Sequence, residues 1–278
     1  MVLLYIPPVQ NLLRREVTAY ASKATGMQIQ VERIDLRFPL NLLVRGVEVI
    51  QQPDTLLSLE SLNVRVQAWP LLKGKVEVDD VTLSQVAVNS ADLIEGMQIK
   101  GVLGRFFLQS HGVDLSNETA VVNRAELSDT HIQLLMNDTT TAPKDTTASA
   151  PVNWKVDLHQ LKLKNISFDM QLPADSLKMS AYIGEATVDD AKADLKNQFY
   201  GLRQFLLSGA SASYDTGEAG PTEGFDASHM AVRNIRIGLD SLLYEGRNMN
   251  AVIREITMEE RSGLSITSLT GRLFSNDS

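Results

Sequence analysis

The chain contains no cysteine, and that single absence removes disulfides, thiolate zinc sites and thiol nucleophiles together. Aromatics make up only 6% of it, and the four histidines, His111, His131, His159 and His229, lie at least twenty residues apart. None of the four has a second histidine or a carboxylate at the spacing of a helical metal-binding motif, so each reads as a strand or turn residue. A nucleophile elbow, a P-loop and a dinucleotide fingerprint are also missing. Nor is there a basic patch interleaved with aromatics; with a net charge of −8 and a pI near 5.1, nucleic acid is not an expected partner. No cofactor or metal and no catalysis are expected. The acidic pairs Asp79-Asp80 and Asp189-Asp190 are the nearest approach to acid/base or calcium chemistry, but both sit where solvated bend residues are expected.

Long hydrophobic runs are lacking too. Met1 to Ile6 reads Met-Val-Leu-Leu-Tyr-Ile and stops at Pro7-Pro8. A bilayer needs about 20 apolar residues, and a signal peptide needs a charged start and a cleavage site. The segment fits the last turn and a half of a membrane helix, or an apolar start that folds onto the core. Val9, Leu12, Leu13, Val17, Tyr20, Ala21 and Ala24 then recur at helical spacing, with Pro8 suited to the first turn and Gly26 to the position past the end. This predicts a short helix that caps the open end of a β structure.

What the chain does have is a five-residue rhythm. Val76, Val78, Val81, Leu83, Val86 and Val88 step by 2, 3, 2, 3, 2; so do Val156, Leu158, Leu161, Leu163, Ile166 and Phe168, and Tyr200, Leu202, Phe205, Leu207, Ala210 and Ala212. Shorter copies occur at Ile29–Leu36, Met230–Ile237 and Leu264–Leu269, and the gaps hold mostly polar pairs such as Glu32-Arg33, His159-Gln160, Lys164-Asn165 and Arg203-Gln204. On a helix, residues five apart scatter around the axis; on a flat strand a shift of five reverses the side. The rhythm stays on one side only if the strand twists strongly or carries a bulge at each polar pair. The expected fold is mostly β: an elongated, strongly twisted groove of long bent strands with one apolar and one wet side, plus the N-terminal helix. An ordinary sandwich with bulged strands is the plainer alternative.

Strand signals cover 28–38, 43–51, 56–67, 74–89, 97–110 and 119–136, resume at Trp154 to about Asp215, and return over 228–274. Residues 137–151 hold no large apolar side chain, and 137–152 reads as a flexible linker or surface loop. The expected organisation is therefore a membrane-helix remnant and capping helix over 1–26, a first β-groove segment over 27–136, the linker, and a second β-groove segment over 153–278. The last segment shows no capping element at its end, which fits continuation in a longer protein.

Several stretches resemble the N-terminal region of TamB-like members of the AsmA superfamily, particularly those of Bacteroidetes-type bacteria. They are Tyr5-Ile6-Pro7-Pro8-Val9-Gln10 before the helix, the strand ending Phe38-Pro39-Leu40, Arg45-Gly46-Val47-Glu48-Val49, Asp54-Thr55-Leu56-Leu57, and Trp69-Pro70-Leu71-Leu72-Lys73-Gly74-Lys75. The resemblance implies a long β-groove, often called a β-taco, anchored in the inner membrane by one N-terminal helix and crossing the periplasm. It implies phospholipid acyl chains as cargo, an outer-membrane barrel partner of the TamA or BamA type, and a part in outer-membrane protein assembly and secretion. The membrane helix is missing or reduced to Met1–Ile6.

The rhythm and the resemblance meet at one physical point. An apolar side open to water forfeits roughly 1.5–3 kcal/mol per uncovered Val or Leu. About ten strands at ~4.8 Å spacing give a stripe near 50 Å long, enough for several acyl chains. The candidate lipid-binding liners are Val76, Val78, Val81, Leu83, Val156, Leu158, Leu161, Leu163, Leu202, Phe205, Leu207, Ile235 and Ile237. The expected function is a passive hydrophobic conduit. The alternatives are a protein-binding β scaffold that receives strands at an exposed edge, and an adhesin with a closed dry core.

Overall fold

A computed structural model describes residues 7–38, 40–67, 78–114, 117–137, 153–217 and 220–275. The helix α1 (Pro7–Thr25) comes first. Its end is built as the sequence demands: Gly26 adopts a left-handed φ of 71° and donates its backbone N–H to Ser22 O at 3.0 Å, closing the last turn. Met1–Ile6 lies outside the described residues, and among those described no helix is long and apolar enough to cross a membrane.

Twelve strands follow: β1 (Gln28–Arg37), β2 (Asn41–Gln51), β3 (Asp54–Val66), β4 (Val78–Asn89), β5 (Met97–Asp114), β6 (Thr119–Met136), β7 (Lys155–Leu172), β8 (Leu177–Asp194), β9 (Phe199–Asp215), β10 (His229–Glu245), β11 (Asn248–Glu260) and β12 (Ser265–Ser275). They form one sheet in strict sequence order from β1 to β12, and the sheet is not closed. Each neighbouring pair is antiparallel except β6 and β7, which run parallel from Thr119↔Lys155 to Leu135↔Gln171. Parallel neighbours need a crossover connection, supplied here by the polar segment after Met136. Most of that segment, 138–152, lies outside the described residues, as do 74–77 at the expected start of β4. The strands of 27–136 and 153–278 thus hydrogen-bond into a single sheet.

The strands carry the rhythm as a regular defect. Gly46, Gln85, Asp129, Asn165, Asp190, Gly209 and Asn234 all have φ between 49° and 62°, and each is the second member of a polar pair that interrupts the apolar steps. A left-handed residue there undoes the normal alternation, so apolar residues three apart stay on one side. Arg203 shows the consequence directly. It reaches both Asp190 (2.7 Å) and Asp189 (3.9 Å), two consecutive side chains that a flat strand would send to opposite faces. Burial follows the same beat, with both members of Glu32-Arg33, Lys164-Asn165 and Arg233-Asn234 exposed.

The defects are aligned from strand to strand. The register places Glu32, Gly46, Glu60, Gln85, Gly104, Asp129, Asn165 and Gly184 opposite one another across eight strands, each at a rung missing from the ladder. Close approach along this seam accounts for two glycines. A Cβ on Gly104 would lie 2.7 Å from the Asp129 Cβ and 2.9 Å from its carbonyl oxygen, and one on Gly184 would lie 3.0 Å from the carbonyl oxygens of Ser208 and Gly209.

Candidate functional site: the apolar face

Following the register across the sheet converts the stripes into rows. One row reads Ile34, Val44, Leu62, Leu83, Phe106, Leu127, Leu163, Ala186, Leu207, Ile237, Ile256, Leu269, with an apolar residue from each of the twelve strands. The next runs Leu36, Leu42, Val64, Val81, Leu108, Ala125, Leu161, Val188, Phe205, Leu239, Ile253. Across the aligned kinks lies a third, Val31, Val47, Leu59, Val86, Leu103, Thr130, Ile166, Ile183, whose one polar member is Thr130.

The structure brings the sequence-predicted liners together on these rows. Leu83, Leu163, Leu207 and Ile237 share the first, and Val81, Leu161 and Phe205 the second. Leu158 and Leu202 join Val122, Ala191, Leu242, Ala251 and Leu273 in a further row, and Val156 joins Ala120, Ala193, Tyr200 and Tyr244 at one end of the long strands. Ile235 pairs with Ala210, beyond the kink. Val78 pairs with Val66 at the end of β4, and Val76 lies outside the described residues. Sequence reasoning missed the contributions of β2, β3 and β11, and those of β5, β6 and β8. The steps are the same throughout; in β5, β6 and β8, Gly101, Ala120, Ala125, Thr130, Ala181, Ala186 and Ala191 occupy places where a search for Val, Leu and Ile finds nothing, whereas Leu42, Val44, Leu62, Val64, Ile253 and Ile256 were there to be found.

The face is open. The described liners are all only half-buried, and among the described residues no side chain is fully enclosed. Among the described residues the buried apolar ones are Leu40, Leu56, Ala186, Ala210 and Ala251, three of them alanines. Each strand's substantial contacts are with its sheet neighbours, and α1 packs on β1; no second layer lies on the sheet among the described residues. Tyr200 and Tyr244 pair at one rim with ring centroids 5.9 Å apart, leaving an apolar body and a polar tip where the face meets water.

The opposite face carries the charge. His159 Nδ1 lies 3.3 Å from Asp190 Oδ1, and Arg203 donates to Asp190 at 2.7 Å; this guanidinium, with the imidazole beside it, holds the Asp190 carboxyl below its usual range. Arg254 pairs with Asp240 two strands on. His131 Nδ1 sits 2.6 Å from Ser167 Oγ and its Nε2 3.5 Å from Asp169, a half-exposed cluster on a flat surface. Asp80 departs from expectation: it is buried, not solvated, lying near the start of β4 between Arg65 of β3, at 3.3 Å, and Gln109 of β5, while Asp79 accepts from Gln67 Nε2 at 2.6 Å. Among the described residues no group of three or more His, Asp or Glu side chains could hold a metal ion.

The fold and face define a class: an open single-sheet β protein with one continuous apolar surface. A scan against protein-family models finds no match to this chain, and a search of curated proteins finds none either.

Proposed function

We propose that the sheet curves into a twisted β-groove, taco-like in section, and that the chain is a non-enzymatic envelope protein whose groove carries phospholipid acyl chains between inner and outer membrane. The observation that carries this reading is the first apolar row, unbroken across all twelve strands and left without a covering layer among the described residues. An exposed apolar area of this extent marks a binding surface. Twelve strands at ~4.8 Å spacing make it roughly 50 Å long, several times the depth of one acyl leaflet, so chains can shift along it without meeting a polar barrier. The aligned kinks support the curvature, because bulges bend and twist the strands that hold them.

On this reading, and on the resemblance to TamB-like proteins, the protein works in the periplasm. It is held at the inner membrane by an N-terminal helix and partners an outer-membrane barrel protein of the TamA or BamA type in outer-membrane assembly and secretion. Native mass spectrometry with lipid extraction tests the cargo. Phospholipid co-purifies, and photo-crosslinkers at Leu161 and Phe205 capture acyl chains. If neither happens, the conduit is rejected. A second reading is a scaffold that receives polypeptide strands at an exposed sheet edge, and crosslinks to polypeptide instead of lipid would select it.

A further inference from the structure

The apolar face changes its chemistry at one end of the strands. Where β6 and β7 end and β5, β8 and β10 begin, a row reads Ile99, Leu134, Met170, Met179, Tyr214, Met230. Steps of two from Thr130, Ile166 and Ile183 in the third long row reach Leu134, Met170 and Met179, so all lie on the apolar face. Two residues further out along β5 and β6, Met97 pairs with Met136. Five of the chain's nine methionines therefore gather at this end. The three long rows hold none, and the opposite end has Met249 paired with Tyr244. Water reaches the five: Met179 is 37% accessible and the other four are half-buried. Packing alone does not call for sulfur here. Ile99 and Leu134 fill the same row, and Leu172 pairs with Leu177 just beyond it.

We propose that this end of the apolar face is a modification site for two-electron oxidants of the hypochlorous acid class, and that sulfoxidation of Met170 and Met179 turns it from holding hydrocarbon to repelling it. The proposal rests on the reading that the face carries acyl chains. The sulfur lone pair attacks chlorine and hydroxide leaves; water then displaces chloride from sulfur. Sulfur gives up two electrons, chlorine takes them, and the net products are sulfoxide, chloride and a proton. A flexible apolar thioether becomes a polar acceptor. Met170 and Met179 stand directly opposite each other on β7 and β8, so the two new dipoles lie side by side in the middle of the row. Because methionine sulfoxide is reducible, the change is reversible.

The full chain is treated with a few equivalents of hypochlorous acid, quenched with free methionine, desalted, and titrated with dansyl-undecanoic acid as the acyl probe. Peptide mapping finds one added oxygen on Met179 first and then on Met170, and probe affinity falls about tenfold. Methionine sulfoxide reductases restore it. A variant with Met97→Leu, Met136→Leu, Met170→Leu, Met179→Leu and Met230→Leu together keeps the face apolar, binds the probe as the unaltered chain does, and holds its affinity after the oxidant. Far-UV circular dichroism follows the fold throughout. Unchanged affinity with Met170 and Met179 both oxidised overturns the proposal. So does an equal loss in the leucine variant, or a fold lost on oxidation. An untreated chain that does not bind the probe rejects the acyl-carrying face itself, and this proposal with it.

Discussion

The two faces of this sheet are made by the same strands yet obey opposite rules. On the apolar face, side chains line up in rows across up to twelve strands, and apart from Thr130 every member of the three long rows is apolar. On the polar face, the ion pairs are local and mostly exposed: Arg203 with Asp190, Arg233 with Glu259, Arg254 with Asp240. The difference teaches where the fold is specified. A one-residue slip of any strand would carry its whole apolar set to the wet side, so the rows fix the register. The exposed ion pairs are worth ~0–1 kcal/mol each and fix little.

That contrast is most easily broken by placing one charge on each face in turn. Leu163 sits between Leu127 and Ala186 in the twelve-strand row, while its neighbour Lys164 is exposed. Leu163→Asp loses apolar burial and sets an unpaired carboxylate among hydrocarbon, for an expected cost of roughly 3 kcal/mol. Lys164→Asp, one residue away, costs less than about 0.5 kcal/mol. The shift in urea midpoint measures both, and equal shifts would show that the rows do not set stability.

The seam between the rows gives the next largest effects. Gly104→Ala drives a methyl against the Asp129 backbone, which cannot swing aside, and costs about 1–3 kcal/mol by thermal unfolding. Asn165→Val, a β-branched residue forced to hold φ 53°, costs about 1–2 kcal/mol. It also removes the Asn165 Nδ2 bond to Asp129 Oδ1 (2.8 Å) and the acceptor for Tyr182 Oη (3.2 Å). Asn165→Gly separates the two causes: it keeps the left-handed backbone, loses the bonds, and destabilises less than valine does. If glycine and valine fall equally, the side-chain bonds and not the kink hold the seam.

Much of this was legible in the sequence, and for stated reasons. The 2-3-2-3 steps located β1, β4, β7, β9 and β10 because Val, Leu and Ile mark them, and the polar pairs were rightly read as the places where strands deviate. A sharper signal went unused. Six of the seven left-handed residues at these pairs are Gly, Asn or Asp, the types that tolerate positive φ, with Gln85 the exception. The parallel pairing of β6 and β7 was not legible, because a polar connection of that composition serves a hairpin, a crossover or a domain linker equally well. The rows themselves were hidden as well. Each strand shows only its own steps, and their alignment across twelve strands is a property of register that alanine and threonine positions conceal.

The smallest expected effect concerns a place where charge does stabilise, a turn and not a face. Asp226 accepts from the backbone N–H groups of Thr222 and Ser228, each at 3.0 Å, and from the Thr222 hydroxyl, and it lies 3.0 Å from His229 Nδ1. The two backbone donors come first in holding its carboxyl well below the usual carboxylate range. A depressed carboxyl contributes stability that is complete above the unfolded value near ~3.9 and fades as pH falls through the lower folded value. Asp226→Asn keeps the size and an acceptor oxygen but cannot ionise. The melting-temperature gap between the two proteins should therefore be constant at neutral pH and shrink only on acidification below about pH 4. A gap that closed at neutral pH, or never closed, would show that packing against His229 and not the carboxylate orders the loop before β10.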